Sequence, residues 1–235
     1  MPQITLWYSP GACSLAPHVL LHEVGLPFDA VETSVAKGAT LTAEFAQINP
    51  KRRVPVLSLD GEVVTEVPAI AAAIASLAPE RYLMGRTGPD RVRVCEWMNW
   101  LSGTLHGQGF GGLWRPQRFS DDPRAFDGIK VKARTTISEC FKVIESRLTG
   151  PYSTGDSLTA VDPFLLVFYR WGNGIGIRMS NACPNYTTFA QRLVRRDSVA
   201  AALAAEGLDG YSLTDQVPRM NDGTRTFSST KENAP

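Results

Sequence analysis

Apolar and polar positions along the first 80 residues switch between two periods. ITLWY (4–8) puts Ile4, Leu6 and Tyr8 on one side of an extended chain, the alternation expected of a strand with one covered face. SLAPHVLLHEV (14–24) changes to helical spacing and stops at Gly25, where a glycine after the last periodic residue predicts the helix end. FDAVETSV (28–35) reads as a second strand and LTAEFAQI (41–48) as a short helix. VPVLSL (54–59) and EVVT (62–65) flank Asp60-Gly61, a dipeptide suited to the positive-φ turn of a tight hairpin. PAIAAAIASL (68–77) follows as a helix, with Pro68 in the first turn, where no intrahelical N–H bond is lost. The order β-α-β-α-β-β-α calls for a mixed sheet, parallel through the helical crossovers and antiparallel at the hairpin. Residues 1–80 thus form one small α/β domain.

Residues 78–90 carry two prolines and two glycines with little periodicity and read as a linker. Beyond it the strand pattern fades. Segments 91–105, 126–148, 162–171, 186–196 and 198–207 all show helical spacing, so residues 90–216 are expected to form an all-α domain. From Val217 the chain turns polar, and 217–235 reads as a loosely held tail. Thr159 and Asp162, just before FLLVFY, fit a capping arrangement, with Thr159 accepting from the backbone near Asp162.

Charge narrows the function classes. The 24 basic and 23 acidic residues leave a net charge of +1, so no electrostatic footprint points to nucleic acid or an anionic membrane. No apolar run approaches the roughly 20 residues of a transmembrane helix. The first residues lack a basic region followed by an uninterrupted apolar one, so a cytoplasmic protein is expected. Cys13, Cys95, Cys140 and Cys183 are far apart and form no CxxC pair, which signals neither a zinc site nor a secreted disulfide framework. Cys95, Cys140 and Cys183 read as small buried hydrophobes.

Cys13 differs because it sits in a strand-to-helix turn, at the carboxyl end of a strand, where α/β sheets bind ligands. A thiol there is expected to gain thiolate character from the helix N-terminus. Cys13-Ser14-Leu15-Ala16 has no second cysteine, which excludes an internal dithiol cycle. What remains is a thiol that bonds a small external thiol, or a neighbouring polar group that activates one. His18 and His22 share a helix face, but no third ligand is evident and no metal is expected. GNGIG (172–176) lacks the strand a dinucleotide loop requires and reads as a helix end. In 107–119, the glycines suggest flexibility, while Phe110, Leu113, Trp114 and Phe119 offer apolar surface for a second substrate.

Four pieces together, YSPGACSLAPH, NPKRRVPVLSLDGEVVTEVPAI, WMNWLSGTLH and SLTAVDPFLLV, resemble the glutathione S-transferases, the bacterial-type beta class above all, over residues 4–210. The resemblance implies a thioredoxin-like N-terminal domain followed by an all-α C-terminal domain, a homodimer, glutathione as co-substrate, and a hydrophobic electrophile as its acceptor. It implies a cis Val54-Pro55 bond, with Arg53, Val54 and Pro55 in the tripeptide-binding segment and the Val54 backbone pairing with glutathione like an added strand. It assigns Glu66 to the γ-glutamyl end. Val67 stands where the family generally has Ser or Gly, which removes a hydroxyl but leaves a backbone N–H. Cys13 is placed beside the glutathione sulfur, able to form a mixed disulfide, and Ser14 is the alternative thiol activator. Tyr8 ends the first strand where several other classes carry a catalytic tyrosine. Asn99 and His106, seven residues apart, are expected to face the site from one side of the first long helix. The same site would serve a glutathione-dependent isomerase or lyase, or a non-catalytic glutathione- or ligand-binding protein.

Overall fold

The computed structural model describes residues 2–208; the tail at 217–235 and the last residues assigned to the helical domain lie outside the described residues. Strands β1 (Ile4–Tyr8), β2 (Asp29–Glu32), β3 (Val56–Leu59) and β4 (Glu62–Thr65) form one sheet in the order β2-β1-β3-β4. β1 pairs parallel with β2 and antiparallel with β3, and β3 pairs antiparallel with β4. The hairpin turns on Asp60 and Gly61, at φ 51° and 87°, the paired positive values of a type I′ turn. β2 is shorter than its apolar pattern suggests. Its last ladder bond runs from Thr33 N to Tyr8 O, after which Ser34 to Gly38 form a turn.

Helix α1 (Leu15–Val24) is apolar on almost every side and is buried accordingly. It lies between α3 (Val67–Leu77) on the sheet side and α7 (Val161–Gly174) and α10 (Asp197–Ala205) on the helical side. One continuous apolar core therefore joins both parts of the chain. A short α2 (Ala43–Ile48), capped by Thr42, covers the other face of the sheet, with Phe45 against Val54, Val56 and Trp7.

The helical part opens earlier than its periodicity predicts. α4 (Gly88–Trp100) takes in Gly88, Pro89 and Asp90, because Thr87 Oγ1 accepts from Asp90 N at 3.3 Å and the Asp90 carboxylate accepts from Thr87 N at 3.0 Å. That capping box turns apparent breakers into a first turn. The helix then widens to a π-helix over Leu101–Phe110 and closes as α5 (Gly111–Trp114). The glycines expected to loosen this segment instead permit close packing. A Cβ on Gly109 would sit 2.9 Å from Ile137 Cγ1, and one on Gly112 would sit 3.1 Å from Ala133 Cβ, both on α6 (Phe126–Arg147).

α7 is the central helix of this part and runs on to Gly174, with Gly176 at φ 87° making the turn that GNGIG predicted. At its start Asp162 accepts from Thr159 N at 2.6 Å, Ser153 N at 2.8 Å and Thr159 Oγ1 at 3.2 Å. The expected cap thus operates through the carboxylate; the Thr159 hydroxyl is a donor, and Asp162 N is bonded by the Thr159 carbonyl. A short α8 (Met179–Ala182), which no periodicity signals, precedes α9 (Pro184–Leu193) and α10. Among the described residues, no helix is long and apolar enough to cross a membrane.

Candidate active site at the β1–α1 turn

The turn from Ser9 to Ser14 is fixed at several points. Ser14 Oγ accepts from Ser9 N and donates to Ser9 O, each at 3.1 Å, and Ala12 N closes on Ser9 O at 3.0 Å. The Ser14 hydroxyl is wholly buried and engaged on both sides by Ser9, so it shapes the turn. Gly11, at φ 71°, takes the left-handed conformation this turn needs. Its carbonyl accepts from Trp171 Nε1 at 2.9 Å, and its N–H donates to Glu206 Oε2 at 2.8 Å. Both partners come from the helical part.

Cys13 leaves this turn 7% exposed and donates from Sγ to Val54 O at 3.7 Å. The Val54-Pro55 bond is cis. Burial pushes the Cys13 thiol up to about 12, against the lowering influence of the Cys13 and Ser14 backbone N–H groups and the Arg115 charge. The expected gain in thiolate character is present as those lowering contributions, but desolvation wins. Cys13 is a neutral thiol near pH 7. Cys140 and Cys183 are buried as expected, whereas Cys95 is exposed on α4.

Glu66 sits at φ 72° immediately before α3, exposed, with its carboxylate held by Lys51 Nζ at 2.7 Å. Val67 behind it is buried in the core, 5% exposed. Arg53 is exposed on the same loop as Val54. Tyr8 turns the other way: its ring packs 5.0 Å from His18 and its hydroxyl reaches Ala205 O at 3.5 Å.

His106 projects from the π-helix onto α7, its ring 5.3 Å from Trp171 and 6.1 Å from Phe168. Burial, then the charges of Arg115, Arg118 and Arg53, lower its pKa to about 4, so the imidazole is neutral near pH 7. Asn99 does not join it. Its amide folds back onto Cys95 O at 2.9 Å, and it is exposed. An α-helix advances about 100° per residue, and seven residues return to nearly the same face. The wider π turn from Leu101 advances less per residue and breaks that alignment.

Comparison with known proteins places this geometry. The glutathione S-transferase N-terminal domain model matches residues 11–77. Glutathione S-transferase GstA of Escherichia coli O157:H7 is 32% identical over 207 residues, spanning 86% of this chain and 98% of that protein. The chain belongs to the glutathione S-transferase family. A glutathione transferase homologue from Sulfitobacter, solved with bound glutathione, superposes with a TM-score of 0.82 at 30% identity, over 89% of this chain and all (100%) of that one. The beta-class enzyme of Sphingomonas chungbukensis superposes at 0.75 with 35% identity, over 87% of this chain and 100% of that one.

Four residues of this glutathione S-transferase escaped sequence reasoning. Trp171 and Glu206 hold Gly11 from 160 and 195 positions away. Arg115 and Arg118 act electrostatically on His106, and Arg115 also on Cys13. Of the four residues expected to offer apolar surface in 107–119, Trp114 and Phe119 are exposed while Phe110 and Leu113 are buried in the core, and nothing local marked the two arginines.

Proposed function

We propose that this chain, a glutathione transferase, binds glutathione across Val54, Glu66 and Cys13 and transfers the tripeptide's thiolate to an apolar electrophile lying against the helical part. The observation that carries this reading is the Cys13 thiol, donating to Val54 O at 3.7 Å beside the cis Val54-Pro55 bond. A strand-like tripeptide laid on the Val54 backbone brings its own sulfur to that thiol.

A neutral Cys13 S–H, on turning from Val54 O, and a neutral His106 N–H can each donate to an anionic sulfur, and hydrogen bonds to the charged form lower its pKa. An ionised Cys13 would instead repel it. The Arg115 charge favours the same thiolate. Ser14 acts here as a positioning residue, since its hydroxyl is engaged by Ser9. Glu66 receives the γ-glutamyl ammonium in exchange for Lys51, and the first N–H groups of α3 face the γ-glutamyl carboxylate. Tyr8 and Asn99 take no direct part. The homodimer and a cytoplasmic location belong to the same proposal, the dimer being checked by sedimentation of the purified chain.

The test combines calorimetric titration of glutathione with conjugation of 1-chloro-2,4-dinitrobenzene, on wild type, Glu66→Gln, Cys13→Ala and Ser14→Ala. Glu66→Gln is expected to weaken glutathione binding, and Cys13→Ala to lower turnover more than affinity. Absence of both binding and turnover in the wild type would sink the reading. Binding without turnover leaves a glutathione-binding protein, and a product that retains no glutathione identifies isomerase or lyase chemistry.

A further inference from the structure

The segment after α5 combines features that glutathione alone does not account for. Trp114, 38% exposed, rests 4.8 Å from the Trp171 ring, which in turn lies 5.3 Å from His106 and bonds the Gly11 carbonyl. Trp171 thereby links the end of α5 to the Cys13 turn. Arg115 follows Trp114, and Arg118 stands one tight turn later, its N–H on Arg115 O at 3.0 Å. Phe119, 50% exposed, comes next. Two exposed aromatic side chains therefore bracket two guanidiniums within six residues.

Among the described residues, the charge there is uncompensated. Burial, then the charges of Arg115 and Arg53, lower the pKa of Arg118, and all three guanidiniums act electrostatically on His106. Among the described residues, none of the three side chains makes an ion pair. The acidic group acting on both Cys13 and His106 is Glu66, which Lys51 already pairs. Glutathione as its thiolate carries two carboxylates, one thiolate and one ammonium, a net charge of minus two by its chemistry. Three guanidiniums exceed that by one, and Arg115 and Arg118 belong to the helical part whereas Arg53 belongs to the tripeptide segment.

We propose that the second substrate is an anionic electrophile, its apolar body lying on Trp114 and Phe119 and its carboxylate held by Arg115 and Arg118. A guanidinium pair offers the planar, bidentate donors that a carboxylate accepts. The inference rests on the glutathione-transferase reading and narrows its acceptor. With an aryl chloride as acceptor, the thiol proton passes to solvent, the thiolate forms a C–S bond at the ring carbon, and chloride leaves with the C–Cl electron pair.

The probes are 4-chloro-3-nitrobenzoate and its methyl ester, each rate divided by the rate of that compound with free glutathione thiolate to remove intrinsic reactivity. The wild type is expected to favour the acid. In Arg115→Ala/Arg118→Ala the acid-to-ester ratio of kcat/KM falls about tenfold or more, as for a lost charge-assisted hydrogen bond. Because both compounds meet the same preparation, a partly unfolded variant leaves the ratio unaltered. A ratio that does not change overturns the inference. So does a variant that weakens glutathione binding while keeping its preference for the acid, which assigns the guanidiniums to the tripeptide. Should neither compound turn over, the transferase reading is judged by 1-chloro-2,4-dinitrobenzene alone. Binding of 4-nitrobenzoate against its methyl ester, followed by tryptophan fluorescence with S-methylglutathione present, then decides the anion site. Equal affinity of the two for the wild type overturns it, and a preference for the acid lost in the double variant supports it.

Discussion

The Glu206 carboxylate lies 3.0 Å from His18 Nδ1, with both side chains buried, and its second oxygen accepts from Gly11 N at 2.8 Å. One side chain just past α10 thereby holds α1 and the turn carrying Cys13 in a fixed relation. A buried acceptor removed from two donors leaves both unsatisfied, at about 1–3 kcal/mol for each. Glu206→Ala is expected to lower the urea midpoint accordingly. Glu206→Gln keeps an acceptor oxygen and the side-chain volume and should lose clearly less; equal losses would show that charge, rather than hydrogen bonding, is what the site uses.

Cys13 should be slow to alkylate despite its place in the site. With its pKa pushed up to about 12 by burial, the thiolate is a minute fraction at neutral pH, and the thiolate is the nucleophile. Exposed Cys95 is expected to take up iodoacetamide well before Cys13. Peptide mass spectrometry over a time course reads this directly, and equal rates at the two positions would contradict the neutral thiol on which the donor role depends.

His106 gives a pH prediction with a definite sign. Its folded pKa of about 4 lies below the ordinary 6.5, so the unfolded chain binds more protons between those values. Stability therefore rises with pH across that window, and what His106 contributes is lost as pH falls through it. The His106 ring resonances, assigned with His106→Gln, should stay at their neutral positions near pH 7 and move with a midpoint of about 4. A midpoint near the ordinary value would place the ring in water.

The sheet was legible because its signals are local. Alternation marks β1, and Asp60-Gly61 requires the hairpin that Leu59 and Glu62 pair across. The Cys13 turn was legible from the order of strand and helix. What escaped depends on partners distant in sequence. Gly109 and Gly112 read as flexible until Ile137 and Ala133 are seen against them. Ser14 reads as an available hydroxyl until Ser9 is seen on both sides of it. Asn99 and His106 lose their shared face to a π-helix whose wider step the apolar spacing did not announce. Arg115 and Arg118 look like ordinary surface charges, and only the absence of an ion-pair partner among the described residues sets them apart.

Val67→Ser should move affinity and stability in opposite directions. Val67 is 5% exposed in the core at the first position of α3, directly after Glu66. Serine there gives up apolar burial worth about 1–2 kcal/mol, and the melting temperature should fall. The same hydroxyl, set beside the free N–H groups of the first turn, offers the γ-glutamyl carboxylate one added donor. A hydrogen bond of about 0.5–1.5 kcal/mol lowers the glutathione Kd about two- to tenfold. Calorimetry and thermal unfolding on one preparation separate the two effects. A lower melting temperature with an unaltered Kd would mean that the α3 backbone N–H groups already satisfy the carboxylate, and that valine here exacts no cost in binding.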